Sequence, residues 1–164
     1  QWANTQHSLS NDQPVLAAKI KLVGNLLPGM PAPDVTGQNL NQQTQNLLAT
    51  AKNNKLTLLI FWESECPHCR KAMPDFIRLY NEYHAKGLEV FAVSLDTDKN
   101  KWKQFIAANH LTWQNIVLPE NSSAHADYFI QYTPTVVLID GNGNIIKRFL
   151  RVEDLGQEIA DILK

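Results

Sequence analysis

The stretch FWESECPHCRKAMPDF, residues 61–76, contains both cysteines of this 164-residue chain. Cys66 and Cys69 are separated by Pro67 and His68, which is C-x-x-C spacing. Such a pair can form a structural disulfide, half of a metal site or a redox-active pair. A disulfide across two intervening residues closes a very small loop and removes little entropy from the unfolded chain. The spacing therefore argues against a purely structural disulfide.

The residues on either side of the pair predict a buried strand that leads into a helix. LTLLIFW, residues 56–62, is a continuous apolar run of the length of a strand covered on both faces. After the cysteines, apolar residues recur at helical spacing, and Gly87 supplies a stop signal. Pro74 lacks a backbone donor, so we expect a kink there.

The remaining sequence predicts alternating strands and helices. After a second apolar run, Asp96 and Thr97 offer caps for the following helix. GNGN is a turn signal that joins the last two strands as a hairpin. This order predicts an α/β sandwich whose mixed sheet is parallel first and antiparallel at its end. The further predicted segments are strands at 88–95, 134–140 and 145–150, and helices at about 46–53, 98–109, 122–131 and 152–163.

Length and composition limit the domain organisation and the partners. The chain is long enough for one well-filled core, and its 44% hydrophobic and 19% charged residues are typical of a globular protein. A net charge of −1 gives no reason to expect nucleic acid as a partner. We expect a weakly structured arm or linker over residues 1–25 and one domain over residues 26–164. The start at Gln1, without a signal sequence, is typical of a mature or trimmed product.

The predicted position of Cys66 favours a reactive thiolate. The first turn of a helix presents unpaired N–H groups and a positive dipole end, and both lower the pKa of a thiol. Cys69, one turn further in, is predicted to be shielded and able to resolve a mixed disulfide on Cys66. A protonated His68 also favours the thiolate, whereas Glu63 and Glu65 oppose it. We interpret both glutamates as facing solvent.

Several motifs together resemble the thioredoxin superfamily. They are FWESECPHC, a proline five residues after the second cysteine, and TPTVVLIDGNGNII at residues 133–146. The opening GMPAPDVTGQ and the spacing from Cys69 to Pro134 resemble its extracytoplasmic TlpA/ResA-like branch. The resemblance covers about residues 26–164. It implies a thioredoxin-like three-layer α/β/α sandwich with a central mixed sheet.

The resemblance also implies roles for residues at the site. It implies that Pro134 follows a cis peptide bond and packs against the two sulfurs, and that the backbone near Thr133 pairs with substrate. Trp62 matches a tryptophan at the end of the active-site strand and is expected to bind substrate. The resemblance implies a thiol-disulfide oxidoreductase that acts on protein substrates. In this reaction Cys66 is predicted to be the nucleophile and Cys69 the resolving thiol, and Pro67 and His68 are expected to tune the reactivity of the pair.

The expected cellular location, partners and direction of electron flow follow from the same resemblance. Members of this branch act outside the cytoplasm, so we expect the bacterial periplasm and an upstream membrane or periplasmic redox partner. The partners are protein thiols or disulfides, the protein is expected to be a monomer, and no cofactor or metal is expected. The resemblance of the rest of the domain to the TlpA/ResA-like branch favours a reductase or isomerase. The CPHC tetrad, in contrast, resembles that of the oxidase DsbA.

Three positions depart from the patterns of the relatives. Thioredoxin-like enzymes often carry a buried aspartate where this chain has Ile60, and ResA-like reductases often carry a glutamate where it has Ala72. Thioredoxin has a tryptophan at the position of Glu65. The usual proton acceptors for the second cysteine are therefore missing, and Glu63, Glu65 or water is expected to replace them.

Two alternatives use the same cysteines differently. A copper or zinc module without redox catalysis would combine Cys66, Cys69 and a histidine, since thiolates and imidazoles suit these metals. No motif positions a further ligand, however. A peroxidase is a weaker alternative, because Glu63 stands where peroxiredoxins place a threonine.

Overall fold

The computed structural model describes residues 13–149 and 151–164. Its strands are β1 (Thr36–Gln38), β2 (Thr44–Asn46), β3 (Leu56–Trp62), β4 (Leu88–Ser94), β5 (Gln114–Val117), β6 (Thr135–Asp140) and β7 (Ile145–Phe149). Its helices are α1 (Gln13–Gly24), α2 (Leu47–Lys52), α3 (Pro67–Tyr83), α4 (Lys99–Ala108), α5 (Ala124–Asp127) and α6 (Leu155–Ile162). Among these helices, none has the length and apolar character needed to cross a membrane.

The strands form one mixed sheet in the order β2-β1-β5-β4-β3-β6-β7. The central strand β3 pairs in parallel with β4 and antiparallel with β6, and β7 closes the sheet antiparallel to β6. All seven residues of β3 are buried, as expected for a strand covered on both faces. The predicted change from parallel to antiparallel pairing is therefore confirmed.

Helices cover both faces of the sheet. Because side chains of a strand alternate between its faces, Ile60 and Trp62 enter one core while Leu59 and Phe61 enter the other. The first core also contains residues of α3, α4 and α6, and the second contains residues of α2 and α5. The α/β/α sandwich predicted from the sequence is confirmed.

The helix predicted over 122–131 is too long. Only Ala124–Asp127 is helical, and Phe129 has a φ of 46°, a left-handed conformation that ends the helix. The cap of α4 was also predicted wrongly. Asp98, rather than Asp96 or Thr97, is the N-cap, and its carboxylate accepts hydrogen bonds from the N–H groups of the first turn. Asp96 has a different set of partners, described below.

Strands β1, β2 and β5 were not predicted from the sequence. These strands have three, three and four residues, and β1 and β2 consist of TGQ and TQN. Segments so short and polar lack the apolar periodicity by which a strand is predicted. The stretch between the cysteines and Pro134 therefore holds two strands rather than one.

The predicted arm over residues 1–25 is only partly within the described chain, since residues 1–12 lie outside it. Residues 13–24 form α1, a helix that the sequence analysis did not predict. Val15, Leu16, Ile20 and Val23 on this helix are exposed, with Leu16 at 59% and Ile20 at 63% of their full surface. Whether this segment is a weakly attached arm stays a prediction.

Gly37 provides the first testable prediction, because β1 passes very close to β5 there. A Cβ at Gly37 would lie 2.5 Å from the Val117 carbonyl oxygen and 2.7 Å from the Ile116 side chain. We expect Gly37→Ala to lower the free energy of unfolding by about 1–3 kcal/mol, as overpacking does. Urea unfolding measures this, with Gly24→Ala as the control, since a Cβ at Gly24 has no neighbour within 4 Å. Equal stabilities of the two variants would contradict the close approach.

Candidate active site

The two cysteines lie at the N-terminus of α3, where β3 ends. Cys66 is the N-cap, with φ −70° and ψ 121°, and Pro67 is the first helical residue. Proline suits this position because its missing N–H would be unpaired there anyway. Cys66 is half-buried, Cys69 is only 1% exposed, and both are reduced. The two cysteines approach each other to 3.3 Å, as expected for a C-x-x-C pair.

The surroundings of Cys66 favour its thiolate. Partial burial acts to raise the pKa of Cys66, but several hydrogen bonds outweigh it and the pKa is lowered. The donors are the Thr133 side chain, the backbone and thiol of Cys69, and the backbone of His68. Two of these donors are N–H groups of the first helical turn, as predicted from the sequence.

The pKa of Cys69 is shifted in the opposite direction. Burial raises the pKa of Cys69 to about 12, against lowering contributions from the Glu63 backbone and the Thr133 side chain. Cys66 adds to the increase, because two neighbouring sulfurs do not both ionise readily. Near neutral pH, Cys66 is therefore the more reactive nucleophile, and Cys69 is a protonated thiol.

The loop before β6 completes the site beside the sulfurs. The Cys66 thiol donates to the carbonyl oxygen of Thr133 across 3.5 Å, although the two residues are far apart in sequence. The Thr133–Pro134 peptide bond is cis, and both residues are half-buried. The fold thus brings Thr133 into contact with Cys66, whereas the packing of Pro134 against the two sulfurs stays a prediction from the resemblance.

A groove of about 500 Å³ opens next to the cysteine pair. Its walls come from the first turns of α3, the loop before β6 and the segment before α6, and its lining includes His68, Ala72, Tyr132, Thr133 and Pro134. Tyr132 is 44% exposed, so part of this aromatic side chain is accessible at the groove. Lys71, Asp75, Arg151 and Glu153 also line the groove, which therefore combines apolar and charged surface next to Cys66.

Trp62 lies beneath this site rather than on the groove. Its side chain is fully buried in the core, with its ring centroid 5.2 Å from that of Phe105. The guanidinium of Arg70 in turn lies over the Phe105 ring, 5.8 Å from its centroid. A direct contact between Trp62 and substrate stays a prediction from the resemblance.

The two glutamates next to the pair differ in their partners. Glu65 is 61% exposed and forms a 2.7 Å ion pair with Lys101 of α4. Glu63 is half-buried, and its carbonyl oxygen accepts a hydrogen bond from the Cys66 N–H. Lys101 offsets the negative charge beside Cys66, a compensation that the sequence could not reveal because Lys101 is 36 residues further along the chain.

The described residues give no metal site. Within residues 13–149 and 151–164, no group of three or more His, Cys, Asp or Glu side chains is placed to hold a metal ion. The cysteine pair alone supplies two thiolates, whereas structural zinc sites use four ligands. This part of the chain therefore offers no observation that favours the metal-binding alternative.

The sandwich and its cysteine pair define a thioredoxin-like protein. The chain matches the Redoxin family model over residues 27–163 and belongs to that family. The prediction of a TlpA/ResA-like member of the thioredoxin superfamily is confirmed by its relatives.

Two relatives are thiol-disulfide oxidoreductases ResA. That of Halalkalibacterium halodurans is 30% identical over 112 residues, which cover 67% of this chain and 63% of that protein. That of Geobacillus thermodenitrificans is 30% identical over 137 residues, which cover 82% and 77%. The chain thus spans less than two thirds of the Halalkalibacterium protein.

A solved structure has the same fold. It is the thioredoxin domain of a thiol-disulfide oxidoreductase from Bacteroides vulgatus, with 28% sequence identity and a TM-score of 0.78. The match covers 85% of this chain and 99% of the other.

Proposed function

We propose that the protein is a thiol-disulfide oxidoreductase that exchanges disulfides with other proteins. The observation that carries this proposal is that the pKa values of the two neighbouring thiols are shifted in opposite directions. The pKa of Cys66 is lowered at a helix N-terminus, while burial raises the pKa of Cys69. The named activity of the ResA relatives supports the same function.

The reaction consists of two exchanges. The Cys66 thiolate attacks one sulfur of a substrate disulfide, so that a Cys66–substrate bond forms, the substrate bond breaks and the released thiolate takes up a proton. The Cys69 thiol then loses its proton and attacks the Cys66 sulfur, which releases the second substrate thiol. Two electrons and two protons have passed to the substrate, and Cys66 and Cys69 share a disulfide. The reverse sequence oxidises a dithiol.

The groove beside Cys66 is the proposed substrate site. Thr133 contacts Cys66, and Thr133 and Pro134 form part of the groove wall. An extended peptide that pairs with the backbone at Thr133 would place its disulfide against the Cys66 sulfur. Pro67 and His68 are both exposed, and His68 lines the groove, where it can influence the thiolate of Cys66.

The proton acceptor for Cys69 is proposed by elimination among the acidic groups nearby. Ile60 and Ala72 occupy the positions at which relatives often carry a carboxylate. Glu65 is paired with Lys101, and the carboxylate of Asp96 is occupied by Ser64 and Ser94, which leaves Glu63 and water for this role.

Location and partners are part of the proposal. We place the protein outside the cytoplasm, in a bacterial periplasm, as a monomer that receives or delivers electrons through a membrane or periplasmic redox partner. The likeness to ResA supports this setting. A reductase or isomerase is the proposed direction.

The reduction potential of the Cys66–Cys69 pair tests both the function and its direction. We expect the pair to equilibrate with glutathione or dithiothreitol and to give a potential near that of thioredoxin, about −270 mV, if the protein donates electrons. A potential near that of DsbA, about −120 mV, would reverse the proposed direction. Failure of the wild-type protein to exchange with any disulfide-bonded test protein would refute the proposed function.

A further inference from the structure

Asp96 is the centre of a polar network beside the cysteine pair. It is half-buried at the end of β4, and both of its carboxylate oxygens accept from the Ser64 N–H at 3.0 Å. The Ser64 hydroxyl donates to Oδ1 at 2.6 Å, and the Ser94 hydroxyl donates to Oδ2 at 2.8 Å. Ser64 and Ser94 are each 1% exposed. A half-buried carboxylate with this many donors is held in one orientation.

The partner of Asp96 belongs to the turn that carries the nucleophile. Ser64 lies two residues before Cys66, and its carbonyl oxygen accepts a 2.7 Å hydrogen bond from Nε of Arg70. The Cys66 N–H donates to Glu63 at 3.3 Å within the same turn. Ser64 is therefore hydrogen-bonded on one side to Asp96, two residues after the end of β4, and on the other to Arg70 of α3. Residues 63–66 are fixed between these two elements.

We propose that Asp96 is a positioning residue for disulfide exchange, and that it acts through Ser64. Its carboxylate fixes the turn of residues 63–66, and this turn sets where the Cys66 sulfur lies relative to the N–H groups of α3 and to Thr133. This inference rests on the proposed function, because it assigns a role in the same reaction. Asp96 itself touches neither the sulfur nor the groove in the contacts described above.

A purely electrostatic role for Asp96 predicts the opposite result. A nearby negative charge disfavours a thiolate, so its removal would lower the pKa of Cys66. Loss of positioning instead weakens the hydrogen bonds that stabilise the thiolate, and the pKa of Cys66 rises. The other charged groups around the turn are Glu63, Glu65 with its partner Lys101, His68 and Arg70, and all of them stay in place in the variants below.

The test compares Asp96→Asn and Ser64→Ala with Asp98→Asn. Asp96→Asn keeps the shape but loses acceptor capacity, and Ser64→Ala removes a hydrogen bond while it keeps the carboxylate. Asp98→Asn removes the same charge two residues away, where Asp98 caps α4. The pH dependence of Cys66 alkylation by iodoacetamide and the kcat and KM of disulfide exchange are measured for each variant.

We expect Asp96→Asn and Ser64→Ala to raise the pKa of Cys66 and to slow its alkylation at neutral pH about two- to tenfold, the effect of one lost hydrogen bond. kcat should fall more than KM changes, and Asp98→Asn should match the wild type. A lowered or unchanged pKa of Cys66 in Asp96→Asn overturns the proposal, and so does an unchanged pKa in Ser64→Ala. If Asp96→Asn does not fold, Ser64→Ala decides.

Alkylation needs no disulfide substrate, so the two proposals fail separately. A raised pKa of Cys66 in both variants of a protein that shows no exchange activity would refute the proposed function and support the positioning of Cys66 by Asp96. Normal exchange with unshifted pKa values in both variants would support the function and overturn the role of Asp96.

Discussion

Replacing Cys66 with serine should reduce disulfide exchange by at least about a thousandfold, because the covalent nucleophile is lost. A serine hydroxyl at the same helix N-terminus does not ionise near neutral pH and forms no disulfide. The assay is the reduction of a disulfide-bonded test protein by dithiothreitol in the presence of each variant. Cys66 is half-buried, so the substitution should leave the fold intact, which circular dichroism and urea unfolding verify.

The matched variant is Cys69→Ser, which makes the same chemical change at the second cysteine. It keeps the nucleophile but removes the resolving thiol, so a mixed disulfide between Cys66 and the substrate should accumulate. Non-reducing electrophoresis and mass spectrometry detect this adduct, and dithiothreitol should release it. A mixed disulfide on Cys69 in the Cys66→Ser variant would instead show that the two roles are reversed.

The strongest structural predictions concerned segments in which local pattern and tertiary environment agree. Leu56–Trp62 reads as a continuous apolar run because this strand is buried on both faces, and the structure has the strand at those residues. The helix after the cysteines was predicted for a similar reason. α3 ends at Tyr83, and Gly87, with a φ of 112°, ends the short 3-10 helix that follows it. The short β1, β2 and β5 have no such signal, since pairing with neighbours rather than their own residues makes them strands.

The residues of the site also differ in whether they have a local sequence signal. Both cysteines and the helix N-terminus are local features, so the sequence predicted which thiol would have the lower pKa. A role for Thr133 was predicted only from the resemblance, and its contact with Cys66 was not predicted at all, because no local pattern shows which distant residue lies against Cys66. Two further contacts join residues more than thirty positions apart. They are the ion pair between Glu65 and Lys101 and the hydrogen bonds between Ser64 and Asp96. Such contacts depend on strand order, which periodicity does not specify.

Alkylation at neutral pH should distinguish the two cysteines by at least about a hundredfold. With a pKa of about 12 for Cys69, only about one molecule in 10⁵ carries that thiolate at pH 7. The pKa of Cys66 is lowered instead, so its thiolate is more abundant than that of an ordinary cysteine. Mass spectrometry after timed exposure to iodoacetamide should find Cys66 modified first.

The pH dependence of the alkylation rate gives the direction of the pKa shift of each cysteine separately. In Cys69→Ser, the rate of Cys66 alkylation should rise with pH and level off below the range of an ordinary thiol, because a lowered pKa means that ionisation is complete earlier. In Cys66→Ser, the rate at Cys69 should still be rising at the highest accessible pH, since burial, the largest cause of its raised pKa, remains. In urea both cysteines should react alike, because the unfolded chain has neither the burial nor the hydrogen bonds. Equal rates for the two cysteines in the folded protein would contradict the asymmetry on which the proposed function rests.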